Sequence, residues 1–391
     1  MTSAADLSAF VRRHPPARPP APGAPLVDRV RGALGVPADD GTGDAGLRDV
    51  HVERSWRSAG VRGQELSWDP GFGARTRAWL LLPEGADEPL PAVLLAHCHG
   101  GLKRWGREKV AAGPGGVEPP SVRAARESGY GGRPVAEDLA RRGFAVLAHD
   151  AFGWGSRRTA VDDMPPRVRE LGADLAELAE RRGRPWDAAR RYEAMAGLHE
   201  HELAKQCGAL GTSFAAMVLR EDAAALGVLA SRPEVDARRT AVLGFSGGGW
   251  RAGVLGALDP RCSAVGVVAM MSGIPETLED HVHRHTWMFF TPGLWQVCDW
   301  PELAGSRAPR PLLVQYGLRD PLVPVEGARR AHEDLQQRYA AAGAASAYRG
   351  ELHDVGHVFG PRQQAAAADW LAEVAGRAGE RGAPGGRAAR P

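Results

Sequence analysis

The chain has 391 residues, of which 43% are hydrophobic and 25% charged, and its formal net charge is +2 at pH 7. That composition suits an ordinary folded domain with a large core, and so small a charge gives no reason to expect nucleic acid or a membrane surface as partner. No apolar run is long enough to cross a bilayer, the Pro- and Ala-rich start lacks a secretory signal's apolar core, and Cys98, Cys207, Cys262 and Cys298 form no C-x-x-C pair, so the cytoplasm is the expected compartment.

In chain order, residues 1–25 read as a disordered arm, 26–375 as one α/β domain and 376–391 as a disordered tail. Apolar runs at 77–82 and 92–97 predict strands. A helical pattern covers 135–142, and a strand at 144–148 ends at His149-Asp150. Segment 156–212 is polar, rich in Arg and Glu, helical in pattern and without a strand. It is expected to be a helical insertion or lid whose charges form a solvated face. Beyond it come a helix at 214–231, a strand at 240–245 and a helix at 250–258. Apolar runs at 264–271 and 311–316, a helix at 325–340, a strand at 345–349 and a closing helix at 362–375 complete the pattern. Continuous apolar runs are what parallel strands buried on both faces require. Their alternation with helices predicts a mostly parallel, doubly wound sheet with its ligand site at the carboxyl ends of the strands.

Three such ends carry chemistry. The spacing Gly244-x-Ser246-x-Gly248 after strand 240–245 is that of a nucleophile elbow, a tight strand-to-helix turn that exposes a serine hydroxyl. Asp320 follows strand 311–316, and His357 follows the last strand. A serine hydroxyl needs a base, imidazole supplies one near neutral pH, and a carboxylate fixes the imidazole's tautomer. Ser246, Asp320 and His357 therefore read as a triad in the order Ser, Asp, His. His353 is the rival base and Asp354 the rival acid. An oxyanion hole would draw on the Gly247 N–H and on the segment His97-Cys98-His99-Gly100-Gly101, where His99 and Gly101 both fit. His97, Cys98 and His99 leave a metal site as a weaker reading beside the oxyanion loop, and so, separately, do His281, His283 and His285, for which polar loop residues near the pocket are the stronger reading. Trp154, Trp250 and Trp287 are candidates for an apolar pocket wall, as are Phe289, Phe290 and Trp295, with core packing the equal alternative.

These residues resemble α/β-hydrolases of the dienelactone hydrolase and acetyl xylan esterase type. The resemblance rests on the elbow, on 316–324 with Asp320, and on Gly356-His357. It extends to 97–101 with 106–109, to 150–158 and to 299–303 with 308–314, so that it spans roughly 80–370. It implies the α/β-hydrolase fold, a serine hydrolase using Ser246, Asp320 and His357, and no metal or cofactor. The dienelactone enzymes proper use a cysteine nucleophile where this chain has serine, and the 156–212 insertion is longer than a minimal hydrolase needs. The expected activity is hydrolysis of a small-molecule carboxylic ester through an acyl-enzyme. Amide or peptide hydrolysis and acyl transfer stay open on the same triad, and so does a homo-oligomer. A non-catalytic scaffold is the reading that three intact residues argue against.

Overall fold

A computed structural model describes residues 23–36, 49–115 and 118–382. Its centre is a nine-stranded sheet: β1 (His51–Ser58), β2 (Val61–Trp68), β3 (Thr76–Pro83), β4 (Leu90–Ala96), β5 (Ala145–His149), β6 (Val235–Phe245), β7 (Ala264–Val268), β8 (Leu312–Gly317) and β9 (Tyr348–His353). The spatial order is β1-β2-β3-β5-β4-β6-β7-β8-β9. The first three strands form an antiparallel meander, β3 runs antiparallel to β5, and β5 through β9 are parallel.

The helices are α1 (Leu26–Leu34), α2 (Pro120–Tyr130), α3 (Val135–Arg141), α4 (Pro166–Arg181), α5 (Ala188–Ala209), α6 (Phe214–Ala230), α7 (Gly247–Leu258), α8 (Ile274–Asp280), α9 (Trp300–Gly305), α10 (Val325–Ala341) and α11 (Pro361–Gly382). They cover both faces of the sheet, which is why the central strands are apolar without alternation. In β4, Ala92 and Leu94 enter the core shared with α1, α6, α7 and α10, while Val93 and Leu95 enter the one shared with α2, α3 and α11. Val93, Leu94 and Leu95 each contribute about 1.5–3 kcal/mol on burial. The expected doubly wound, mostly parallel sheet is what the chain forms.

Some boundaries differ. The last strand lies at Tyr348–His353, not 345–349, because Ala345–Ala347 form a 3-10 turn before it. The closing helix continues to Gly382, past the boundary expected at 375. Strands β1 and β2 carry no apolar run to announce them: β1 reads HVERSWRS and is exposed along nearly its whole length. Residues 1–22 of the expected arm and 383–391 of the expected tail lie outside the described residues. Segment 156–212 is helical as expected. Its helices α4 and α5 share a small core of Val168, Tyr192 and Ala196. Among the described residues, no helix is long and apolar enough to cross a membrane, and the four cysteines are buried free thiols.

Candidate active site

The β6–α7 junction explains the glycine spacing. A Cβ on Gly244 would lie 2.0 Å from the Gly248 carbonyl oxygen, and one on Gly248 would lie 2.1 Å from the Ala96 carbonyl oxygen. Only glycine lets the turn close this tightly against β4. Between them Ser246 takes φ 57° and ψ −124°, a conformation that costs a non-glycine residue about 1–3 kcal/mol. Its N–H donates to the Val268 carbonyl at 2.8 Å, which ties the turn to the end of β7.

Asp320 follows β8, and His357 follows β9. The His357 Nδ1 lies 2.7 Å from Asp320 Oδ2, and Leu322 N–H donates to Asp320 Oδ1 at 2.8 Å. A carboxylate partner at Nδ1 places the proton there and leaves Nε2 as the acceptor. The His357 ring packs on Phe245, the residue before the serine, with centroids 4.7 Å apart. The rivals are engaged elsewhere. His353 ends β9 and faces Glu351, while Asp354 is exposed and paired with Arg319.

Ser246 and His357 line one cleft of about 680 Å³, together with His99, Leu102, Ala125, Phe245, His285, Phe289 and Leu322. A larger hollow of about 820 Å³ lies under α11 at the opposite ends of the strands, around Ala92, Ala241 and Ala264. No member of the proposed triad lines it. The cleft at the carboxyl ends is therefore the candidate site, as the topology requires.

The tryptophan expectations are corrected here. Trp154 and Trp250 are almost wholly buried and do not line the cleft. Trp154 sits beneath the loop after β4, edge-on to His99 with Lys103 over its face, and Trp250 stacks on Phe289 in the core. Trp287 is partly exposed and donates from Nε1 to His201 at 2.8 Å, outside the cleft wall. Of the aromatics named beforehand, Phe289 is the one that reaches the cleft. The three histidines at 281–285 do not share a face either, since Val282–Arg284 form a 3-10 turn. His285 alone turns into the cleft, with Nε2 2.9 Å from the Leu322 carbonyl oxygen, and burial lowers its pKa to about 4. Among the described residues, no three His, Cys, Asp or Glu side chains gather as metal ligands would.

The loop after β4 packs against the elbow: a Cβ built on Gly247 would lie 3.1 Å from the His99 nitrogen. Gly101 N–H donates to the His99 ring at Nδ1 (2.9 Å), so of the two expected loop donors its hydrogen is already engaged. Buried side chains hold several other polar groups of the loop. Arg251 of α7 donates to His97 O at 3.1 Å, and the Tyr130 hydroxyl accepts from Cys98 N–H at 3.1 Å. Lys109 Nζ donates to Cys98 O, His99 O and Leu102 O at 2.7, 3.0 and 3.1 Å. Arg251 is itself held by Asp222, with Nε 3.1 and 3.0 Å from its two oxygens. Burial alone would raise the Asp222 carboxyl, but Arg251 and His149 bring it down to about 2.

The insertion also reaches this loop. Glu193 of α5 accepts from Lys103 N–H at 2.6 Å and Arg104 N–H at 3.0 Å. Glu200, one helical stretch further on, pairs with Lys103 Nζ and lies 3.7 Å from His99 Nε2. It accepts from Thr286 Oγ1 at 2.7 Å and Trp287 N–H at 2.8 Å as well. Burial favours its neutral form, yet Lys103 and His99 hold its carboxyl well below the usual range. The expectation of a solvated face is therefore corrected for these two charges, which bridge the insertion to two walls of the cleft.

Lys103, Lys109, Glu193, Glu200 and Arg251 were not singled out from sequence. One signal was present: the chain has three lysines among 49 basic residues, and two of them, Lys103 and Lys109, fall within the eight residues after His99-Gly100-Gly101. In a chain that otherwise uses arginine, both places carry a compact ammonium, a point charge with three donors that can turn toward several carbonyls at once.

No family model matches the chain. It is 26% identical over 281 residues to YtaP of Bacillus subtilis (strain 168), which carries a provisional hydrolase name; the match covers 72% of this chain and 77% of that protein. Among solved structures it is similar to a candidate acetyl xylan esterase from Bacteroides fragilis NCTC 9343 (TM-score 0.61, 16% identity, 89% of this chain and 81% of that one). A glucuronoyl esterase from Solibacter usitatus gives a TM-score of 0.54 at 15% identity over 83% of this chain and 86% of that one. An acetyl xylan esterase from Paenibacillus sp. R4 gives 0.53 at 18% identity over 93% of this chain and 98% of that one. A mostly parallel sheet wound on both sides, a glycine-flanked serine turn after β6 and this shared topology show that the chain has the α/β-hydrolase fold.

Proposed function

We propose that the protein is a serine esterase acting on a small-molecule carboxylic ester. The observation that carries this reading is a serine held at positive φ in the cleft it shares with His357, whose Nδ1 is bound to Asp320. In this reading Ser246 Oγ attacks the ester carbonyl while His357 Nε2 takes its proton. The tetrahedral oxygen is held by the N–H groups of His99 and Gly247, and collapse passes the proton from His357 to the departing alcohol. Water, deprotonated by the same Nε2, then releases the acid and restores the serine. Asp320 keeps the imidazole in the required tautomer and stabilises its cation. The names of the similar solved structures and the largely apolar lining support an ester of modest size. About 680 Å³ falls within the usual range for small-molecule sites.

The test is hydrolysis of short-chain p-nitrophenyl esters, with fluorophosphonate labelling beside it. Ser246→Ala is expected to lower kcat by at least about 10⁴-fold and to abolish labelling. His357→Ala is expected to slow labelling of the intact serine. Full activity in Ser246→Ala would overturn the reading.

A further inference from the structure

Lys109 is a fully buried ammonium with no carboxylate in ion-pair distance among the described residues, and it faces three carbonyl oxygens of a single loop. Burying an unpaired ammonium is unfavourable, and a hydrophobic residue of similar length would ordinarily serve a core better. What an apolar side chain could not do is hold those carbonyls. Cys98 O accepts from Lys109 Nζ at 2.7 Å and from His97 Nδ1 at 3.0 Å, so both of its lone pairs are engaged. A trans peptide sets its C=O and N–H on opposite sides. With the Cys98 carbonyl drawn toward Lys109, the His99 N–H of the same peptide points the other way, on the side where His99 N packs against Gly247. A cation on the carbonyl also draws electron density through the amide and strengthens its N–H as a donor. Arg251 at His97 O and Tyr130 at Cys98 N–H fix the preceding peptide, so the loop cannot rotate to follow another partner.

We propose that Lys109 is a positioning residue for the oxyanion site: by clamping the Cys98 and His99 carbonyls it aims and polarises the His99 N–H toward the charge that develops beside Ser246. This rests on the serine-esterase reading. Burial, the largest influence, brings the Lys109 pKa down to about 8. Cys98 and Glu193 act to raise it, and Lys103 and Arg251 to lower it further. His97, which faces the same carbonyl, is kept neutral by burial and by Lys109 and Arg251. The clamp therefore carries its charge below about pH 8 and loses it above.

The experiment compares wild type, Lys109→Met and Lys109→Gln in ester hydrolysis. It also measures the affinity of a trifluoromethyl ketone, which forms an oxyanion on the serine, and of an unreactive amide of the same shape. Lys109→Met is expected to lower kcat about 10- to 100-fold with KM changed less than about threefold. Ketone affinity is expected to fall in step with kcat/KM while amide affinity holds, and Lys109→Gln to lie between. Should both variants fail to fold, the wild type decides: kcat is expected to decline through about pH 8 while the protein stays folded, because losing the charge of this buried ammonium adds stability to the fold and does not remove it. Unchanged ketone affinity in folded Lys109→Met, equal loss of ketone and amide binding, or a flat wild-type profile to pH 9.5 would each overturn the role of Lys109. An inactive wild type that a fluorophosphonate does not label would instead overturn the esterase reading.

Discussion

At the scale of single residues, function and strain coincide at Ser246. The turn that exposes the hydroxyl also forces positive φ on a residue with a Cβ. Glycine at this position relieves the strain but removes the nucleophile. Ser246→Gly is thus expected to be inactive yet to melt above Ser246→Ala, which is equally inactive and still strained. A thermal unfolding comparison of the two checks this, and a lower melting point for the glycine variant would show that the turn stores no strain. Asp320 invites a second change. Asp320→Asn keeps an oxygen for the Leu322 N–H but can present an N–H to His357 Nδ1, which favours the tautomer with its proton on Nε2. The expected loss in kcat is about 10⁴-fold with KM nearly unchanged, read from initial rates on a p-nitrophenyl ester.

At the scale of elements, α5 does what a lid drawn from sequence would not. It sends Glu193 and Glu200 inward to the loop after β4 and to the segment at Thr286–Trp287. Glu200 and Lys103 are both almost fully buried, so removing either leaves the other charged and unpaired, at a cost of about 3–5 kcal/mol. Glu200→Met should therefore be strongly destabilising. Adding Lys103→Met should return part of the loss, with a coupling of about 2 kcal/mol in a denaturant-melt double-mutant cycle. Additive losses would mean that the pair is not coupled. The contrast between β6 and α5 shows what a sequence displays. The elbow was legible because an apolar run and a glycine spacing are local patterns, and because Asp320 and His357 each follow a strand that its own apolar run or position announces. The carboxylates of α5 were not, because on a polar helix a buried Glu looks like an exposed one. Only the loop that arrives from nearly a hundred residues upstream decides which it is. The tryptophans failed for the same reason: Trp154 and Trp250 follow strand ends, but the core reaches those ends too.

At the scale of the whole molecule, the fold buries His199 and His285 where desolvation outweighs whatever would welcome a proton. His199 of α5 has a buried Nε2 with no hydrogen-bond partner among the described residues. Burial, helped by the nearby Lys103 charge, lowers its pKa to about 4, and burial does the same to His285. An unfolded imidazole takes its proton near pH 6.5. Between there and about pH 4 the unfolded chain binds more protons than the folded one, so stability falls as pH falls, and below about 4 the loss is complete. Buried carboxyls such as Glu137 and Glu193, raised by desolvation, work in the opposite direction, so the wild-type slope is a difference of the two. Replacing one histidine isolates its share. His199→Leu, which keeps the site apolar and removes the titration, is expected to cost little at pH 7. At pH 5 it should gain on wild type by up to about 2 kcal/mol, read as a smaller drop in melting temperature between the two pH values. Melting curves that shift in parallel for both proteins would mean that His199 titrates alike in the folded and unfolded chain. The helix that braces the cleft would then owe none of its acid sensitivity to that ring.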